Sequence, residues 1–274
     1  MNDLLERLCQ FIGYGSRSAG VIFIGKEEST YDRNPQDYEQ RLNIQSQLSA
    51  YTDLRKLCDT LDQFPNLYNP QKHPPQPQPT WSPLCSVMLG ISGCPISQIG
   101  EGSAVLDYQR SQLGKINGDS LLAELFPAPK SSVNSFNELH SRLLGIDYTE
   151  HIEPLAAYHA SVLTKRQNLI AEMILARFTK DQESHPRLIL AYGRPWSLFE
   201  AIFQKIGRMQ YTSDPAGRFK WAEWNGCLFV LTWHPVARDK WASMKFGLPV
   251  AKNVVEIYRA RSGMRANRNI IATG

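Results

Sequence analysis

Four short segments of near-continuous apolar character constrain this chain most: VIFIG at 21–25, SLLAEL at 120–125, RLILAYG at 187–193 and CLFVLTW at 227–233. A strand covered on both faces reads this way, whereas a half-exposed strand alternates. Helical periodicity fills the intervals. LAAYHASVLTKRQNLIAEMILARF (155–178) repeats its apolar residues at helical spacing, WSLFEAIFQKIG (196–207) does the same, and the tail from Asp239 to about Arg261 is a third such stretch. Strands alternating with helices predict an α/β protein, here a three-layer α/β/α sandwich around a central, mostly parallel four-stranded sheet.

The interval between the first two strands is long. RLNIQSQLSAYTDLRKLCDTLDQF (41–64) reads as helical, NPQKHPPQPQPTW (69–81) as extended loop, and WSPLCSVMLGISG as a further helix. These make a helical and proline-rich insert at about 30–115 within a single domain of residues 1–274. Asn225–Gly226 is a turn signal, so a hairpin is expected to lead into the fourth strand. GYGSRSAG (13–20) precedes the first strand, whereas a dinucleotide fingerprint follows a strand and opens a helix. These glycines therefore read as a turn entering the sheet.

Bulk properties exclude several classes. The chain is 42% hydrophobic and 20% charged, with no apolar run near the roughly 20 residues of a membrane helix. MNDLLERLCQFIGYG has early acids and no apolar core of a secretory signal, so a cytoplasmic protein that does not engage membranes is expected. Cys9, Cys58, Cys85, Cys94 and Cys227 are odd in number, widely spaced and without a C-x-x-C pair, which points to reduced thiols rather than a disulfide frame or zinc ribbon. His140, His151 and His159 have no helical pairing with one another and no completing carboxylate or thiol, so no metal is expected. Net charge is +4, but residues 204–274 carry 12 Lys/Arg against 4 Asp/Glu while the rest carries 18 against 22. Such a basic quarter suits either a polyanionic partner or a solvated helix.

Ligands of open α/β sheets bind at the carboxyl ends of the strands. The first strand delivers Gly25, Lys26, Glu27 and Glu28 there, the second Glu124 and LFPAPKSS, the third Gly193, Arg194 and Pro195, and the last Trp233, His234, Pro235, Val236, Ala237 and Arg238. Glu28 is explained by capping of a following helix, where negative charge is favoured. Glu124 interrupts an apolar strand end, where a charge needs a reason.

This ordered set resembles the uracil-DNA glycosylase superfamily: strand-G-K-E-E, strand-E-L-F-P-A-P, strand-G-R-P, strand-W-H-P-V-A-R. The resemblance spans most of the chain and rests on short motifs. It implies a base-flipping, monofunctional DNA glycosylase, monomeric and without a cofactor. Three departures stand out. Glu28 replaces a usual proline, Val236 replaces the small residue after H-P, and Glu124 stands where the family has a uracil-reading asparagine. The cysteine pattern of the iron–sulfur members is absent.

The resemblance assigns Glu27 to the carboxylate that stabilises the cationic sugar and orients water, and His234 to the departing base. Val236, Ala237 and Arg238 take the wedge that supports base flipping, and Tyr31 or Tyr38 the stack on the flipped base. Lys26, Arg194 and Lys240 are candidate phosphate contacts. An asparagine offers donor and acceptor to uracil, whereas an ionised glutamate only accepts and suits an exocyclic amine. Glu124 therefore points to a modified cytosine, hydroxymethylated or glucosylated, and to defence against DNA that carries it. The alternatives are a conventional uracil-excising repair enzyme, a non-catalytic DNA-binding protein, and a hydrolase of small nucleosides.

Overall fold

The computed structural model describes residues 3–29, 35–63, 77–130, 141–146, 154–179, 185–235 and 243–272. The side chains of residues 27–29, 62, 129–130, 154–155 and 264–272 lie outside that description. The strands are β1 (Gly13–Gly15), β2 (Val21–Ser29), β3 (Tyr51–Thr52), β4 (Ser120–Lys130), β5 (Leu188–Tyr192), β6 (Thr212–Ser213), β7 (Phe219–Trp224) and β8 (Cys227–Thr232). They form one mixed sheet of eight strands in the order β3-β1-β4-β2-β5-β8-β7-β6. The four apolar segments are its centre, with β4, β2, β5 and β8 mutually parallel.

The expectation of only four strands is thereby corrected. β1 runs antiparallel to β4 and carries β3 beside it, while β7 and β6 extend the other edge in antiparallel fashion. The added strands of two or three residues are too short to show a period. β1 lies inside GYGSRSAG, and an ideal Cβ on Gly13 would fall 2.0 Å from the Leu122 carbonyl oxygen, so glycine lets this strand close on β4. The β7–β8 hairpin turns at Asn225 (φ 45°) and Gly226 (φ 79°), as the Asn-Gly signal requires.

Each central strand feeds two cores. Ile22, Ile24, Ile189, Ala191, Phe229 and Leu231 face one, and Val21, Phe23, Leu188, Leu190, Leu228 and Val230 the other. This two-sided burial is why the segments read as unbroken apolar runs. The first face is covered by α1 (Asp3–Gln10), α2 (Pro35–Ser46), α6 (Pro154–Phe178) and α7 (Ser197–Ile206). The second is covered by α3 (Leu54–Asp62), α4 (Ser82–Ile91), α5 (Gly102–Ser111) and α8 (Leu248–Ala272). The insert after β2 thus supplies most of a helical layer. The 41–64 stretch is two helices broken by β3, because Asp53 accepts from Arg55 N–H and caps a new helix. The tail helix begins at Leu248 rather than Asp239, with Pro249 in its first turn, where no intrahelical donor is lost. No helix among the described residues is long and apolar enough to cross a membrane.

From β2 the chain reaches β4 on one side, then returns through α6 to β5 on the other. The order of connection reverses between β2 and β5. Ligands of open α/β sheets bind at such a switch point, beyond the carboxyl ends of the strands.

Candidate active site

On the second face the apolar strand residues end in a single register row, while β4 continues on the first face through Leu125, Phe126 and Ala128. Glu124 of β4 pairs with Gly25 of β2, Gly25 with Tyr192 of β5, and Tyr192 with Thr232 of β8. Residues in register on parallel strands share a face. The three side chains of this row follow Leu122, Leu190 and Val230 on the second face, where the core gives way to polar groups.

Gly25 is what makes the row possible. An ideal Cβ there would meet Glu124 Oε2 at 2.2 Å and Oε1 at 2.7 Å, so the carboxylate lies over the bare Cα of its neighbour. Glu124 is half-buried, and its Oε2 is shut off from solvent. On the other side of Gly25, Tyr192 is 4% exposed, and its ring centroid lies 5.9 Å from that of half-buried His234. The structure therefore brings Glu124, Gly25, Tyr192 and His234 to one edge of the sheet.

Two cations flank the switch point. Gly193 (φ 127°) follows β5, and a Cβ on it would approach that of Lys26 to 3.3 Å, so the two loops touch. The next residue, Arg194, is exposed, and its guanidinium stands 4.2 Å from the ring centroids of both Trp196 and Trp233. Both indoles are anchored, Trp196 Nε1–H donating to Thr232 O (3.0 Å) and Trp233 Nε1–H to Gly217 O (3.3 Å). The two indoles meet at 72°, and a guanidinium packed in the corner they form keeps its charge and hydrogen-bonding edges while losing rotamer freedom. The 214–218 turn that supports Trp233 is itself pinned by an Arg218–Asp214 ion pair (2.9 Å). The Arg218 hydrogen bonds hold the Asp214 carboxyl below its ordinary range.

The backbone of Glu27 continues β2 and pairs with Phe126, while its side chain lies outside the described residues. Glu28 is likewise on the strand, six positions short of the residue before α2, which corrects its assignment to a helix cap. Tyr31, Val236, Ala237, Arg238 and Lys240 lie outside the described residues, as do His140, His151 and residues 69–76 of the proline-rich loop. Tyr38 has no solvent exposure and belongs to the first-face core, which removes it as a stacking residue. All five thiols are free, and among the described residues no group of three or more His, Cys, Asp or Glu could hold a metal.

Sequence reading missed four contributors. Tyr192 looked like the last apolar residue of a strand, although it sits in the row with Glu124. Trp196 looked like the start of a helix and is half of the Arg194 clamp. His159 of α6 stacks on Phe126 (centroids 3.8 Å apart, 23° between planes), and neighbouring Tyr158 OH accepts from Ala128 N–H (2.7 Å). Arg166, also on α6, is fully buried beneath the end of β4. Its charge on the buried face of the helix is a signal it shares with Arg177.

No protein-family profile, curated protein or solved structure matches this chain.

Proposed function

We propose that this protein is a DNA glycosylase on a scaffold like that of the uracil-DNA glycosylases, and that it removes a base carrying an exocyclic amine, a modified cytosine rather than uracil. The observation that carries the reading is the Glu124 carboxylate, laid over Gly25 at the switch-point edge and in register with Tyr192. An ionised carboxylate repels a carbonyl oxygen and accepts from an amine, as when Glu or Asp reads cytosine N4. Removal of ordinary cytosine would destroy the host genome. The modification therefore supplies the discrimination, and the role that fits is defence against DNA bearing modified cytosines.

The chemistry follows from roles on three strands. As the bond from C1′ to the base breaks, its electron pair leaves with the base and positive charge grows on the sugar. Glu27 stabilises that charge, orients water toward C1′ and takes the water proton as the new C1′–O bond forms. His234 donates a hydrogen bond to the departing base. Arg194, braced by two indoles, and Lys26 grip backbone phosphates, while 236–238 fill the gap left by the flipped nucleotide. Glu27→Gln separates this reading from a non-catalytic DNA-binding protein. It abolishes base release and leaves salt-sensitive DNA binding intact. Equal behaviour of Glu27→Gln and wild type in both assays would overturn the assignment.

A further inference from the structure

Arg166 is among the largest side chains with no solvent exposure, and the chemistry above makes no use of it. Its Nη1 donates to Cys9 O (2.8 Å) and Phe11 O (2.7 Å), its Nη2 to Glu124 O (2.6 Å), and its Nε to Leu125 O (3.4 Å). Four backbone carbonyls meet this cation, and among the described residues no carboxylate forms an ion pair with it. An apolar residue here would leave these carbonyls without that donor, so Arg166 ties α1, the segment after it and β4 together while bringing a permanent positive charge to the backbone of residue 124. Burial works against the protonated guanidinium, while Cys9, Tyr158 and Glu124 favour it electrostatically. The Glu124 carboxylate thus favours the Arg166 cation across the end of β4.

We propose that Arg166 is a positioning and specificity-determining residue for Glu124: it fixes the backbone of residue 124 and sets a permanent positive charge beneath it. This holds the carboxylate in its ionised, acceptor-only form and thereby selects bases that present an exocyclic amine. The inference rests on Glu124 as the base reader. A protonated Glu124 would gain a donor and could hold a uracil oxygen, so the charge at 166 is what keeps uracil out. Other charged or titratable groups described on the elements packed against β4 include Lys26 on β2, Tyr14 on β1, Glu6, Arg7 and Cys9 on α1, and Tyr158, His159 and Lys165 on α6, with Tyr192 and His234 along the row. Arg166 is separable from these because a lysine keeps its charge and a methionine keeps only its bulk.

The test follows the carboxyl carbon of Glu124 by NMR in protein labelled at glutamate, assigned by its loss in Glu124→Gln. It is titrated in wild type, Arg166→Lys and Arg166→Met. The expected result is a proton affinity about tenfold higher in Arg166→Met, with Arg166→Lys close to wild type. Identical titrations in all three overturn the proposal. Should Arg166→Met not fold, the reciprocal measurement decides: the Arg166 Nε–H resonance is expected to move between wild type and Glu124→Gln at pH 7, and an unmoved resonance overturns it. Neither readout needs base release, so failure of the glycosylase reading and failure of this linkage are distinguished. With an active enzyme, Arg166→Met is further expected to raise uracil release relative to the amine-bearing base about tenfold, an effect that disappears in a Glu124→Gln background.

Discussion

Replacing Gly25 by alanine puts a methyl group where the Glu124 carboxylate lies. The new Cβ would fall 2.2 Å from Oε2, whereas ordinary contact begins at 3.4 Å, so the carboxylate must retreat by about 1 Å. What yields is the far end of a flexible side chain, not backbone, and the fold should survive. Crowding costs about 1–3 kcal/mol, partly offset by the roughly 0.4–1 kcal/mol that alanine contributes by restricting the unfolded chain. A net loss of at most about 2.6 kcal/mol lowers Tm by at most about 5–10 °C. Catalytic geometry is less forgiving, since a displacement of about 1 Å costs on the order of a hundredfold in rate. Single-turnover base release, scored as alkali-labile sites, should therefore fall about a hundredfold in Gly25→Ala while DNA affinity stays near wild type. Shortening the displaced side chain with Glu124→Asp in the same molecule should restore part of the rate. A folded Gly25→Ala protein with the wild-type rate would show that the carboxylate over Gly25 takes no part in base selection or release.

Three further outcomes are expected. Arg194→Ala removes an exposed cation held between two indoles, so DNA binding should weaken and the slope of log affinity against log salt should become shallower by about one unit, read by fluorescence anisotropy across a salt series. Asp214→Asn should destabilise at pH 7 but not at low pH. The Arg218 hydrogen bonds lower the Asp214 pKa, so its stabilisation is present above the ordinary carboxyl value of about 3.9 and is lost as pH falls through the depressed one. Urea unfolding at pH 7, 5 and 3 checks this, and a difference independent of pH would contradict it. Thiol titration of the native protein should label Cys94 quickly and the other four only on denaturation, because Cys9, Cys58, Cys85 and Cys227 are buried and burial raises the Cys85 thiol far above its ordinary range.

The parts of the fold legible in the sequence are those with long-range physical periodicity. VIFI, LILA and LFVL had to be strands covered on both faces, and the observed division of Ile22 and Ile24 from Val21 and Phe23 between two cores is that pattern made structural. Glu124 was legible because a charge at the end of an apolar run demands a reason. Strands as short as β1, β3 and β6 were not, since two or three residues carry no period. The role of Gly25 was hidden as well. It depends on the register that sets residue 25 beside residue 124, and register is a property of the assembled sheet. Tyr38 shows the opposite failure. An aromatic after the G-K-E-E segment suggests stacking, but α2 turns that ring into the core. Arg166 looked like one more basic residue in KRQ, and its four carbonyl partners come from α1, the segment after it and β4, up to 157 positions away in the chain.

The most direct measurement is base release by the wild-type protein from duplex and single-stranded DNAs carrying uracil, hypoxanthine, hydroxymethylcytosine or glucosylated hydroxymethylcytosine, with Glu27→Gln alongside. Glu124 as an acceptor-only reader predicts release of a cytosine derivative, none of uracil, and none of any base by Glu27→Gln. Release of uracil alone, or of nothing while salt-sensitive binding persists, would contradict it.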